Sequence, residues 1–370
     1  MGLNEKFFKS AAGSSIDPRD YFQPLVYSGN GNSSSGGKQV TGVGFEPDMF
    51  WIKNRTINGE HSAILDVLRN NRGNILYPDL SNTEADFGSS PGFTGTSDGF
   101  NINSGNLNVS GTNNYISWNW KAGGNSNTFN VDGTGYSSAS AAGLSDGNTS
   151  LTGASVSTVS GFSVVTFNSG STGNKTVPHG LGVKPSFVLF KKRNSEGGAW
   201  FTWSKGFSQE NYYLYLQQNF DFGDLTQSAN AWGNRSFDSD VVSFRAGFTV
   251  EPNRNIVLYS FADIPGYQKS SSYQGTGNAF TVFTTDDGSS GGANGFRPSF
   301  VLIKRTDSVG DWVIIDEPRG QGSIRLYANT AGKEDAGQGE SFASNGFNPR
   351  TSTTRDTNTN GGTYIYLAIA

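Results

Sequence analysis

Short apolar and aromatic runs, each bounded by clusters of Gly, Ser, Asn and Thr, recur from about residue 25 to residue 370. That alternation predicts β-strands joined by tight turns. Three of the runs are near copies of one another: GFEPDMFWIKNR at 44–55, LGVKPSFVLFKKR at 181–193 and GFRPSFVLIKR at 295–305. Each holds a proline (Pro47, Pro185, Pro298), then an unbroken apolar stretch, then a lysine (Lys53, Lys191, Lys304) and an arginine (Arg55, Arg193, Arg305). Proline has no N–H to give a sheet and suits the first residue of a strand. The pattern predicts a turn, a strand buried on both faces, and a basic exit whose lysines reach for water.

More of the unit recurs around this anchor. VYSGNGN (26–32), VTFNSGSTG (165–173) and SYQGTGN (272–278) are strand ends running into glycine turns. Downstream, HSAILDVLRNN (61–71) aligns with DWVIIDEPRGQ (311–321), matching Asp66 with Asp316 and Arg69 with Arg319, while AWFTWSKGF (199–207) holds the same place without the acid. Each unit closes on an aromatic strand: NNYISWNWKAG, RNIVLYSFAD and GTYIYLAIA. Units this long exceed the ~20–50-residue period of solenoids and match β-sandwich domains.

The expected fold is all-β: a tandem array of three β-sandwich (jelly-roll or lectin-like) domains with an extended N-terminal arm. The predicted boundaries are an arm at 1–24, repeat one at 25–124, a Gly/Ser/Asn-rich linker or extended arm at 125–160, repeat two at 161–268 and repeat three at 269–370.

Composition narrows the function. Aromatics reach 13% of 370 residues, against the low aromatic content of disordered chains. A net charge of −4 gives no electrostatic reason to expect nucleic acid. With no cysteine there are no disulfides or thiolate metal sites. The first residues, MGLNEKFFKSAAGSS, lack the apolar run of a signal peptide, and no stretch approaches the ~20 apolar residues of a membrane span. A soluble protein made in a cytoplasm, without membrane insertion, is expected. Leu3, Phe7 and Phe8 mark a possible docking peg within the arm.

Chemistry is sparse. His61 and His179 are the only histidines, and neither has a companion at metal or triad spacing. Asp66 and Asp316 occupy equivalent places in different units, three residues before Arg69 and Arg319, and read as structural ion pairs rather than a glycosidase pair. Asp286-Asp287-Gly288 and Asp307 with Asp311 read as acidic hairpin turns rather than a cation loop. GNGNSSSGG (29–37) lacks the lysine of a phosphate cradle. Neither cofactor nor metal is expected. Aromatics offer one binding surface: Trp200, Trp203, Tyr213, Tyr215 and Trp232 in repeat two are candidates for stacking on sugar rings.

The phrases TGVGFEPDMFWIKNR, WNWKAGG, VPHGLGVKPSFVLFKKR, VLYSFADIPGYQKSSSYQGTGN and GFRPSFVLIKRTDSVGDWVIID together resemble repeat-containing virion structural proteins of tailed bacteriophages, particularly phages of marine cyanobacteria. The resemblance covers about residues 25–370, and repeat two departs from it in lacking the Asp…Arg signature. It implies a non-enzymatic virion component, most simply a tail fibre or tail appendage, assembled as a homo-oligomer with other virion proteins. Such a protein is made in the host cytoplasm, released by lysis, and able to meet a host-surface glycan. The alternatives are a capsid decoration or head-fibre protein, and a glycan-binding module or polysaccharide depolymerase.

Overall fold

The computed structural model describes residues 16–370 except 32–36, 87–91, 103–106, 108–112, 196, 222–230, 234–236, 338 and 351–356. Among these residues the one helical element is the 3-10 turn Pro18–Asp20, and the rest of the regular structure is β. The anchor strands Met49–Asn54, Phe187–Lys192 and Phe300–Arg305 each begin two residues after their proline. Each sits inside a sheet of one repeated order. A first strand (Phe22–Ser28, Phe162–Asn168, Gln268–Gln274) pairs with the closing strand (Asn114–Trp120, Asn255–Phe261, Thr363–Ile369). The closing strand pairs with the anchor, and the anchor with a return strand (Ala63–Asp66, Trp200–Ser204, Val313–Asp316). The register repeats as well: Trp51 lies opposite Trp118, Leu189 opposite Tyr259, and Leu302 opposite Leu367.

A smaller sheet covers one face of each large one. In unit one Lys38–Thr41, Gly99–Ile102 and Phe93–Thr96 bring Val40, Phe93, Phe100 and Ile102 onto Phe50, Ile52 and Tyr115. In unit three Val282, Phe342 and Phe347 cover Val301, Ile303 and Tyr366 in the same way. Unit two has the pair Lys175–Pro178 and Val241–Phe244. The opposite faces of the large sheets turn toward one another and merge in a single core holding Trp51, Trp118, Leu189, Tyr259, Leu302 and Leu367. The units follow one another in sequence and close in space as a ring around a common axis. Burial on both sides explains why the anchor strands are apolar at consecutive positions instead of alternating. Where the three inner faces meet there is an apolar cavity of about 20 Å³, lined from all three units by residues such as Met49, Phe187 and Phe300. It has room for about one water and is too small for a larger ligand.

Three expectations change. Lys53, Lys191 and Lys304 do not reach water; all three are fully buried. Neighbouring loops cover the strand ends, so the ammonium groups donate to backbone carbonyls: Lys53 to Thr330 at 2.5 Å, Lys304 to Arg305 at 2.7 Å, and Lys191 to Gly198. Burial pushes the Lys53 pKa down to about 8. Residues 125–160 are no free linker. The strand Leu151–Ser157 pairs antiparallel with Phe162–Asn168, and Phe129–Val131 pairs parallel with Leu151–Ser157, widening the second sheet. Its small residues permit close approach: a Cβ on Gly147 would fall 2.5 Å from the Thr176 carbonyl oxygen. The arm ends early too, because Phe22 is a core residue whose ring lies 4.9 Å from Trp120 and 5.7 Å from Phe300.

Candidate functional site

The most polar constellations lie between units. In unit one the return strand ends at Asp66 and turns tightly, so that the Leu68 and Arg69 N–H groups donate to Asp66 Oδ1 at 3.0 and 3.1 Å. The same turn brings Arg69 Nε to Asp66 Oδ2 at 2.6 Å, and Arg69 also donates to Glu84 at 2.9 Å and to the Ile64 carbonyl at 2.9 Å. A residue of unit two completes the cluster, as the Tyr259 hydroxyl donates to Asp66 Oδ2 at 2.6 Å. Burial pushes the Tyr259 hydroxyl well above its ordinary pKa, which keeps it a donor. Burial alone would lower the Arg69 pKa, but the carboxylates of Asp66 and Glu84 outweigh it and hold the guanidinium above its ordinary value.

Unit three repeats the device against unit one. Arg319 Nε donates to Asp316 Oδ2 at 2.8 Å, and the Trp118 indole N–H donates to the same oxygen at 2.9 Å. The Arg319 guanidinium lies over the Trp118 ring at 5.9 Å. Asp66, Ser204 and Asp316 hold one register position, opposite Met49, Phe187 and Phe300. Trp118, Tyr259 and Leu367 likewise share one position on the closing strands. The acid missing from unit two is thus matched by a donor missing from unit three. Ser204 instead meets Ser270 Oγ at 3.1 Å, and Ser270 is the strand neighbour of Leu367.

The rims of the interfaces follow the same cyclic rule. Arg193 of unit two pairs with Glu84 of unit one at 2.7 Å, and Arg55 of unit one with Glu334 of unit three at 2.8 Å. Each ion pair rides on a backbone bond, Glu84 N–H to Arg193 O at 2.8 Å and Glu334 N–H to Arg55 O at 3.2 Å. Trp200 donates to the Tyr77 carbonyl at 2.8 Å and Trp312 to the Tyr215 carbonyl at 3.0 Å, joining unit two to one and unit three to two.

Chemically these clusters are built for cohesion. Asp66, Arg69, Asp316 and Arg319 are all buried to 1% exposure or less, so water and a substrate have no route to the carboxylates in this structure. The two acids stand in different interfaces and form no joint site, in keeping with their reading as structural ion pairs. The sequence pattern identified the pairs at i and i+3 but missed Tyr259, Trp118, Glu84 and Glu334. A signal for the first two was present, since the unit lacking the acid precedes the unit whose closing strand has leucine in place of Trp or Tyr.

The aromatic candidates for sugar stacking are corrected by burial. Trp200, Trp203, Tyr213 and Trp232 are at most 4% exposed. The Trp203 and Trp232 indoles donate to the Glu210 and Tyr212 carbonyls at 2.9 and 2.8 Å, and half-buried Tyr215 packs on Phe201 at 5.0 Å. The second sheet carries more core on both faces than alternation in one strand reveals, and these rings fill it. Leu3, Phe7 and Phe8 lie outside the described residues. Asp286 and Asp287 accept from Asn294 Nδ2 at 2.7 Å and the Ser289 N–H at 2.9 Å, while Asp307 pairs with Arg305 at 3.0 Å and Asp311 accepts from Asn329 at 2.7 Å. Among the described residues no three His, Asp or Glu side chains converge as a metal site would require, and no helix is long and apolar enough to cross a membrane.

His61 pairs with Asp79 at 2.6 Å beside Tyr77. His179 is buried in the turn before Pro185, where Nδ1 accepts the Leu181 N–H at 3.2 Å and Nε2 donates to the Asp238 carbonyl at 3.3 Å. Burial pushes its pKa down to about 4, against a weaker upward pull from Asp238 and Asp240. A folded-state value below the unfolded one gives stability that is present above the unfolded pKa and lost as pH falls toward the folded one. Between pH 6.5 and pH 5 the unfolding free energy should drop by about 1.5 kcal/mol. Urea titrations at the two pH values measure the drop. His179→Asn should remove most of it, and a wild-type curve flat over this window would contradict the neutral buried imidazole.

A family model described as "Domain of unknown function (DUF7483)" matches residues 17–370. No curated protein and no solved structure matches the chain.

Proposed function

The chain belongs to the DUF7483 family over nearly its whole length, and we propose that it is a virion structural protein of a tailed bacteriophage. In this reading it is a tail fibre or tail-associated appendage, which docks through its N-terminal segment and turns its β-sandwich units toward the host surface. The observation that carries the reading is the fate of the reactive side chains. Asp66, Asp316, Arg69 and Arg319 are buried in the clusters that join one unit to the next, and His179 is buried in a turn of unit two. Such a body suits a particle component that must persist outside a cell without disulfides, and the phrases quoted from the sequence resemble those of phage virion proteins.

Gold-labelled antibody on gradient-purified particles tests the proposal. Label on tails is the expected result; label on heads would replace the tail assignment with capsid decoration, and unlabelled particles would overturn the virion assignment. Docking is tested by removing residues 1–15, a cut that leaves core residue Phe22 in place. The truncated protein should melt as the full chain does and be lost from particles, whereas normal incorporation would refute docking through this segment.

A further inference from the structure

The ring has three interfaces and two covalent crossings. Units one and two are joined through residues 121–161, and units two and three through the short turn 262–267. Unit three meets unit one with no chain between them, through Trp118 on Asp316, Arg55 on Glu334 and Lys53 on the Thr330 carbonyl. The same face carries Phe300 against Phe22, and bonds from Gly59 N–H to Ala331 O at 2.8 Å and from Lys333 N–H to Asn58 Oδ1 at 3.0 Å. The two sides of this face are different surfaces, each complementary to the other and not to itself. A contact of that kind closes a ring when the geometry allows and joins separate molecules when it does not.

We propose that the face between units three and one is an exchange surface whose fitting partner is a second copy of this chain, unit three of one molecule docking on unit one of the other. Acid and donor set which surfaces fit. Asp316 requires the donor that Trp118 supplies, Asp66 has its own in Tyr259, and Ser204 faces a position, Leu367, that offers none. A unit three seated on the wrong neighbour would leave a buried carboxylate short of a hydrogen bond. The exchanged dimer therefore repeats the native contact, continuous with an interface already present within one chain. The turn 262–267 is the hinge: Gly266 has a φ of 77°, open to glycine at little cost, and the Ile264–Gln268 bridge folds the turn back on itself.

The absence of native cysteine makes the test direct. Arg55 and Glu334 are backbone-bonded neighbours, so the double variant Arg55→Cys with Glu334→Cys places two thiols within reach of a disulfide at this face. In the monomer the cross-link is intramolecular, and in an exchanged dimer it joins two chains. The parent double variant, a form with Pro265 and Gly266 deleted, and Trp118→Phe are compared in this background after refolding from urea at low and high protein concentration. The readouts are light scattering and non-reducing gels. The deletion shortens the hinge so that unit three cannot fold back onto its own unit one, and should raise the dimer share at high concentration about tenfold, with the dimers linked through residues 55 and 334. Trp118→Phe weakens a contact present equally in the closed monomer and in the exchanged dimer, and should leave the share unchanged. Dimers lacking the cross-link, a deletion that leaves the share unchanged, or no dimer in any of them would overturn the proposal. Should the deletion fail to refold, an insertion of four residues after Gly266 is the second variant: slack in the hinge favours the closed monomer and should lower the dimer share, and an unchanged share would overturn the proposal.

Discussion

Asp316→Ala should destabilise the protein by about 3–5 kcal/mol, read as a lower urea midpoint at an unchanged slope. The substitution removes the only negative charge in contact with the Arg319 guanidinium among the bonds described, in a place where neither side chain reaches solvent. Arg319 keeps just its long bond to the Ile314 carbonyl at 3.4 Å, and the Trp118 indole loses its acceptor. An uncompensated buried cation costs far more than the intact pair contributes, because the attraction within the pair largely offsets the desolvation of both partners. Replacing Asp316 and Arg319 together with apolar residues should therefore cost less than Asp316→Ala alone. Ser204→Ala, at the equivalent position of unit two, removes two neutral bonds, one with Ser270 Oγ and one from the Gly206 N–H, and should cost about 1–2 kcal/mol. Equal losses for Asp316→Ala and Ser204→Ala would contradict the account of the acid clusters.

Phe300→Ala is the second large effect, about 3–5 kcal/mol by the loss of transferred area and the cavity left behind. Its ring lies 5.7 Å from Phe22 and 5.9 Å from both Trp118 and Trp120, all of unit one. The hole would open beside the axial cavity, which Phe300 already lines. Surrounding rings belong to rigid central strands and have little freedom to collapse into it. Calorimetry should give a lower transition temperature, with the three units still melting together because the inner faces share one core. An unshifted transition would deny Phe300 its place in that core, and separate transitions in the wild type would deny that the core is shared.

The anchor strands were legible in the sequence because burial on both faces writes an unbroken apolar run after a proline, and nothing in a half-exposed strand mimics it. The Asp–Arg pairs were legible because their partners sit three residues apart. Ring closure was not. A strand apolar on both sides does not say which face looks at its own small sheet and which at another unit, so Trp51 and Phe50 read alike while packing on different partners. The buried lysines were hidden for the same reason: Thr330, which receives Lys53, lies 277 residues away. The aromatics of unit two suggested a surface because tandem, separate sandwiches would have faces to spare. Residues 125–160 looked like solvent-borne chain because Ser, Gly and Ala bury well only when backbones come close, which composition does not record.

The shared inner core also bears on how the protein is born. Trp51, Trp118 and Trp120 have left the ribosome once unit one is complete, but Phe300 and Asp316, which cover them, are added nearly two hundred residues later. At about 5–20 residues per second, the nascent chain carries an uncovered tryptophan face for roughly ten to forty seconds. Folding of this protein is therefore tied to the completion of translation, and polysomes making it hold many such faces side by side, where shielding by a chaperone would decide the yield.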